Sequence, residues 1–93
     1  MAEQAGDLQD TEMIAKHLSA ALDRGGDTAF TAALMEVIRE RGMTAMARKI
    51  GVSRHTLYRY EWGHDRPLLE TVVKIAAACG VKLTVVPADQ PRK

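Results

Sequence analysis

Ala47, Gly51, Val52, Ser53 and Leu57 follow one another at spacings that admit few local solutions. Two short helices that cross closely need a small residue at the crossing, and Ala47 supplies it. The turn between them needs a residue at ease with positive φ, and Gly51 supplies that. Val52 follows as an apolar plug, Ile50 and Leu57 point back toward a core, and Ser53 is placed to cap the next helix. The spacing predicts one short helix capped by Thr44, with Ala47 and Ile50 inward. It predicts a second over residues 54–62, closed by Gly63. Residues 44–62 therefore read as a helix-turn-helix.

A helix over 54–62 advances by about 100° per residue. With Leu57 marking the core, His55, Arg59 and Trp62 fall within roughly 40° of the opposite direction. Thr56 and Tyr58 lie on the flanks, and Arg54 sits in the first turn. Side chains of this kind reach base edges in a major groove, Arg being suited to guanine. Arg54, His55, Thr56 and Arg59 are thus the expected base contacts of a double-stranded DNA reader. A solvated face with a few charges is the plainer alternative, and the turn in front of the helix weighs against it. From Arg39 to Arg66 the chain carries Arg39, Arg41, Arg48, Lys49, Arg54, Arg59 and Arg66 against Glu40, Glu61 and Asp65. Basic groups flanking a reading helix touch phosphates and set register. Thr44, Arg48, Lys49, Ser53, Tyr58 and Arg66 are the expected backbone contacts, Thr44 through its hydroxyl and the free amides of its helix start.

The rest of the chain reads as supporting helices. Asp10 or Thr11 can cap a helix with Ile14, Leu18, Ala21 and Leu22 on one face, stopped by Gly25-Gly26. Asp27 or Thr28 can cap the next, with Phe30, Ala33, Leu34, Val37 and Ile38 inward and Gly42 at its end. So short a linker implies an antiparallel pair. Pro67 pre-sets a fifth helix from about Leu68 to Ala78, ended by Gly80. Val81-Lys82-Leu83-Thr84-Val85 alternates as a strand does. No second strand is visible, so pairing of Val81, Leu83 and Val85 across a homodimer is expected. Residues 1–9 are expected to be disordered, 10–86 to form a single all-α domain of five helices with one short strand, and 87–93 to be a flexible tail.

Aromatics are only 4% of the 93 residues, so a core must come from Leu, Ile, Val, Met and Ala. One cysteine, Cys79, builds no disulfide framework, and it reads as a small core residue. His17, His55 and His64 are scattered, no His, Cys and Glu set has metal-ligand spacing, and no glycine-rich phosphate loop is present. No catalytic residue, metal or cofactor is expected. Without a signal-like start or an apolar run of membrane length, the chain reads as cytoplasmic, with no membrane partner. The net charge of +1 hides an asymmetry. Up to residue 38, Lys16 and Arg24 face Glu3, Asp7, Asp10, Glu12, Asp23, Asp27 and Glu36, and the remainder is basic. The acidic helices are suited either to a basic protein partner or simply to buttressing the DNA-binding unit.

These residues resemble a known group. Ala47-Arg48-Lys49-Ile50-Gly51-Val52-Ser53, Thr56 to Gly63, Pro67 and Leu68 to Leu83 look like the Cro/cI-type (XRE-like) helix-turn-helix family. Within it, Arg41-Gly42-Met43, Gly51-Val52-Ser53-Arg54, Leu57-Tyr58-Arg59 and Thr71-Val72-Val73-Lys74 match the addiction-module antidote group in order. Those are antitoxins similar to the HigA type. The resemblance spans roughly residues 10–86. It implies a Cro/cI-like fold that binds DNA, and the dimer expected from the strand would bind a palindromic operator. It also implies neutralisation of a small basic RelE/HigB-like ribonuclease toxin and repression of the antitoxin's own operon. Base contacts carry over to Arg54, His55 and Arg59. Many relatives open the motif with a phosphate-gripping Gln, which Thr44-Ala45-Met46 lacks. Glu61-Trp62-Gly63 resembles the wider family's Glu-x-Gly ending, with Trp62 as a core-edge plug or a backbone contact. A stand-alone repressor without a toxin is the alternative function.

Overall fold

The computed structural model describes residues 10–88. It is mostly helical, with four helices: α1 (Thr11–Arg41), α2 (Met43–Ile50), α3 (Arg54–Glu61) and α4 (Leu69–Ala78). The expected five helices become four because the first two run on as a single bent element. Asp10 caps α1, its carboxylate accepting from the Glu12 amide at 2.9 Å. Gly26, at φ 70° and ψ −153°, breaks the helical geometry inside α1. That region of backbone space is essentially reserved for glycine. The bend is a reversal: His17 Nε2 lies 2.6 Å from Glu36 Oε1 although they are 19 residues apart. A straight helix would separate them by roughly 28 Å. The two halves of α1 therefore lie back to back, as the short linker implied.

Their facing residues make most of the core. Ile14, Leu18 and Ala21 are buried from the first half, and Ala33, Leu34, Met35, Val37 and Ile38 from the second. Met46, Ala47 and Ile50 of α2, Leu57 of α3, and Ile75, Ala78 and Cys79 join the same cluster. Helix α2 packs on α1, α3 and α4, while α3 packs on α1 and α2. Thr44 does not cap α2. The cap lies two residues earlier, on Gly42, which also ends α1 and has no side chain to offer. Gly42 turns the chain at φ 102°, its amide donating to Ile38 and Arg39.

The expected strand is also corrected. Residues 81–87 carry no regular secondary structure, and there is no strand among the described residues. Alternation alone cannot make a strand, because its backbone groups need a neighbouring ladder. Instead Val81 folds back on the core, its amide donating to Ala76 at 3.0 Å just past Gly80. Leu83 and Val85 are exposed. The expectation for residues 1–9 lies outside the described residues, as does that for 89–93 of the tail. No described helix is long and apolar enough to cross a membrane.

Candidate nucleic-acid interface

Two backbone devices aim α3. At its start, the amides of Gly51 and Val52 both donate to the Ala47 carbonyl, at 2.8 and 3.0 Å, with Gly51 left-handed at φ 92° and ψ 29°. The chain thus leaves α2 abruptly, and Ser53 restarts it. The Ser53 hydroxyl accepts from the Thr56 amide at 3.0 Å, the N-cap expected from the sequence. At the far end, the Gly63 amide donates to Tyr60 and the His64 amide to Arg59, at 3.2 and 2.9 Å. This pairing closes the helix and sends the chain back along it.

Leu57 is fully buried, which anchors the helix axis and stabilises the fold by about 1.5–3 kcal/mol. The Arg39 guanidinium reaches from α1 to Glu61, with Nη2 at 2.8 Å from Oε2, and pins the C-terminal turn. With one face held this way, the opposite face is presented outward. Arg54 and His55 are exposed, and Arg59 is half-exposed beside them. Arg48 and Lys49 stand exposed in the last turn of α2, and Thr44 is exposed in its first turn.

The structure groups some of the expected contacts and separates others. Arg54 Nη2 donates to the Tyr58 hydroxyl at 3.2 Å, and its guanidinium lies 5.6 Å from the Tyr58 ring centre. Tyr58 in turn stacks on Trp62, with ring centres 5.5 Å apart, and Trp62 meets His64 edge-on at 6.1 Å. Trp62 is 62% exposed, so it is no plug of the core. Thr56 is half-buried, and its hydroxyl lies 3.0 Å from that of Ser53, engaged at the cap. Arg66 stands apart, paired with Asp27 on α1 across the loop. Both partners are largely exposed, so this pair is weak and readily exchanged. Beneath the α3–α4 loop, a cleft of about 330 Å³ runs between Met35 and Arg39 on one side and Tyr60, Glu61 and Asp65 on the other.

Sequence reading missed Asp65. Its Oδ2 accepts from Arg59 Nε at 2.7 Å. The hydrogen bond from Arg59, opposed by partial desolvation and helped by the charge of Arg59 itself, holds the Asp65 carboxyl below the usual aspartate range. The same bond pushes the Arg59 guanidinium higher still. The available signal was Gly63, since a glycine reversal places the residues after it alongside the last helical turn.

A model of the family described as "Probable addiction module antidote protein" matches residues 2–87. The chain belongs to this family. A relative from Haemophilus influenzae, an uncharacterized protein, is 31% identical over 78 residues, spanning 84% of this chain and 80% of the relative. No solved structure matches the chain. The antidote-family match covers every helix described above, so the outward face of α3 lies within the region the family shares.

Proposed function

We propose that this chain is a sequence-specific DNA-binding antitoxin of a type II toxin–antitoxin module. In this reading it neutralises a RelE/HigB-like ribonuclease toxin and represses its own operon. Membership of the antidote family supports the antitoxin role. The observation that carries DNA binding is the outward face of α3, where His55 and Arg59 stand opposite the fully buried Leu57 and Arg54 is exposed in the first turn. A two-turn helix held by a capped turn in front and an ion pair behind projects those groups as one rigid set. Arg48 and Lys49, exposed at the adjoining end of α2, suit flanking phosphates.

The test is binding of the full chain to duplexes selected from a randomised pool, compared with random duplex. Arg54→Ala and Arg59→Ala are expected to cost about 1–3 kcal/mol on selected DNA and to relax sequence preference. Arg48→Ala is expected to weaken both duplexes alike and to lower the salt slope by about one. Equal losses on both duplexes for all three variants would remove the base-reading role.

The operator reading further requires a homodimer on a palindrome with half-sites roughly 34 Å apart. Exposed Leu68, Leu69 and Val73 along α4, with Val85 and Val86 beyond it, offer apolar surface for self-association. Sedimentation at micromolar concentration and footprinting decide this. For the toxin, the deciding experiment is co-purification with the product of the adjacent reading frame. Capture of a basic ribonuclease-like chain supports neutralisation, whereas its absence leaves the stand-alone repressor.

A further inference from the structure

We propose that Asp65 is a positioning residue for sequence reading: its carboxylate grips the Nε edge of Arg59 and so aims the terminal edge of that guanidinium at a guanine. The inference rests on the reading of α3 as the DNA-facing helix and deepens it.

Three observations carry it. The contact is made through Nε, at 2.7 Å. A guanidinium has five N–H donors in a fixed plane, so a carboxylate on the Nε edge leaves the outward pair of terminal N–H groups for a second fork. Guanine O6 and N7 accept that pair. Next, the carboxylate is itself fixed. The Asp65 amide donates to the Arg59 carbonyl at 3.3 Å and the His64 amide to the same carbonyl at 2.9 Å, so the loop is tied to the backbone of the residue it holds. Finally, Arg59 lies opposite buried Leu57 on a helix of only eight residues, where a free four-bond side chain would sample many directions. Holding it beforehand lowers the ordering cost of binding and narrows what it can meet.

A negative charge beside the reading face has a second consequence. It repels phosphates within a Debye length of about 10 Å at ordinary salt. Asp65 therefore weakens binding to every sequence while strengthening the choice among them, and removing it moves the two quantities in opposite directions.

The experiment measures affinity of the full chain for its selected duplex, for that duplex with each guanine replaced in turn, and for random duplex. Asp65→Ala, Arg59→Ala and the double variant are compared with the unaltered protein. The expected result for Asp65→Ala is higher affinity for random duplex and a loss of about five- to tenfold in discrimination at one guanine. That guanine is the one whose replacement no longer matters to Arg59→Ala. In the Arg59→Ala background, removing Asp65 should change discrimination no further. Asp65→Asn keeps an acceptor without the charge, and it should restore part of the discrimination while retaining the raised random affinity. That variant also covers the case in which Asp65→Ala disturbs the loop, which its melting temperature reveals. Unchanged discrimination in both Asp65 variants overturns the proposal. So does a uniform loss on all duplexes that persists without Arg59, the mark of a purely structural loop. An unaltered protein with no sequence preference overturns the reading of α3 itself, a failure separate from either of these.

Discussion

Arg59 and Asp65 illustrate how much of this protein's chemistry lies in single side chains. Both side chains of the pair are about half-exposed, so its weight is in geometry rather than in stability. The Asp65 pKa in the folded chain lies below its unfolded value. The pair's contribution is therefore complete above the ordinary aspartate range and is lost as pH falls through the lowered value. Carboxyl-carbon NMR is expected to show Asp65 titrating below the free-aspartate midpoint, and Arg59→Ala is expected to return it toward that midpoint. Leu57 works in the opposite way, through burial alone. Leu57→Ala should cost about 2–5 kcal/mol in chemical denaturation, because it empties a fully enclosed site beneath α3. Ser53→Ala should cost about 1 kcal/mol by freeing the Thr56 amide.

At the scale of elements, the informative comparison is between α3 and α1. Helix α3 is short and owes its position to its ends: the Ser53 cap, the Gly63 reversal and the Arg39 ion pair. Each of the first two was visible as a residue type at a particular place. Helix α1 is long and owes its shape to one residue in the middle. Gly25-Gly26 marked a break from the sequence, and the structure makes the break a single non-helical residue, so that two helices are one bent element. Gly26→Ala is expected to destabilise the fold by about 1–3 kcal/mol, since the backbone region it occupies strains any side chain. Gly25→Ala should also destabilise, for a different reason: a β-carbon there would stand 2.6 Å from that of Ala29. Thermal melts of the two variants, together with loss of the His17–Glu36 proximity in NMR, check both. The start of α2 and the segment after α4 were misread. In each, a glycine turn placed the next residues differently from what local pattern suggested.

For the whole molecule, one core joins all four helices, and α2 touches the other three. The α2–α3 unit is therefore held against both the hairpin of α1 and α4. Cys79 reports on this core. It is fully buried at the end of α4, and burial pushes its thiol up, against the opposing influence of Arg41 and Lys49. The prediction is that a disulfide reagent such as Ellman's reacts with Cys79 in the native chain only at the rate of opening, and rapidly in denaturant. Fast native reaction would mean that α4 detaches readily. The exposed apolar residues of α4 belong to this scale as well, because only the packed molecule shows which of its faces is left over.

The sequence by itself determined the helical class, the turn at Gly51, the Ser53 cap, the buried role of Leu57 and the outward set of Arg54, His55 and Arg59. These follow from local sterics and from the helical period, which act over a few residues and are written in them. Tertiary structure alone decided that Val81 joins the core rather than a strand. It also decided that Arg66 turns to Asp27 and that Asp65 takes hold of Arg59. Each of those depends on which surfaces meet once the chain is compact. Contacts between residues distant along the chain, and the backbone partners a strand would need, have no local signature to read.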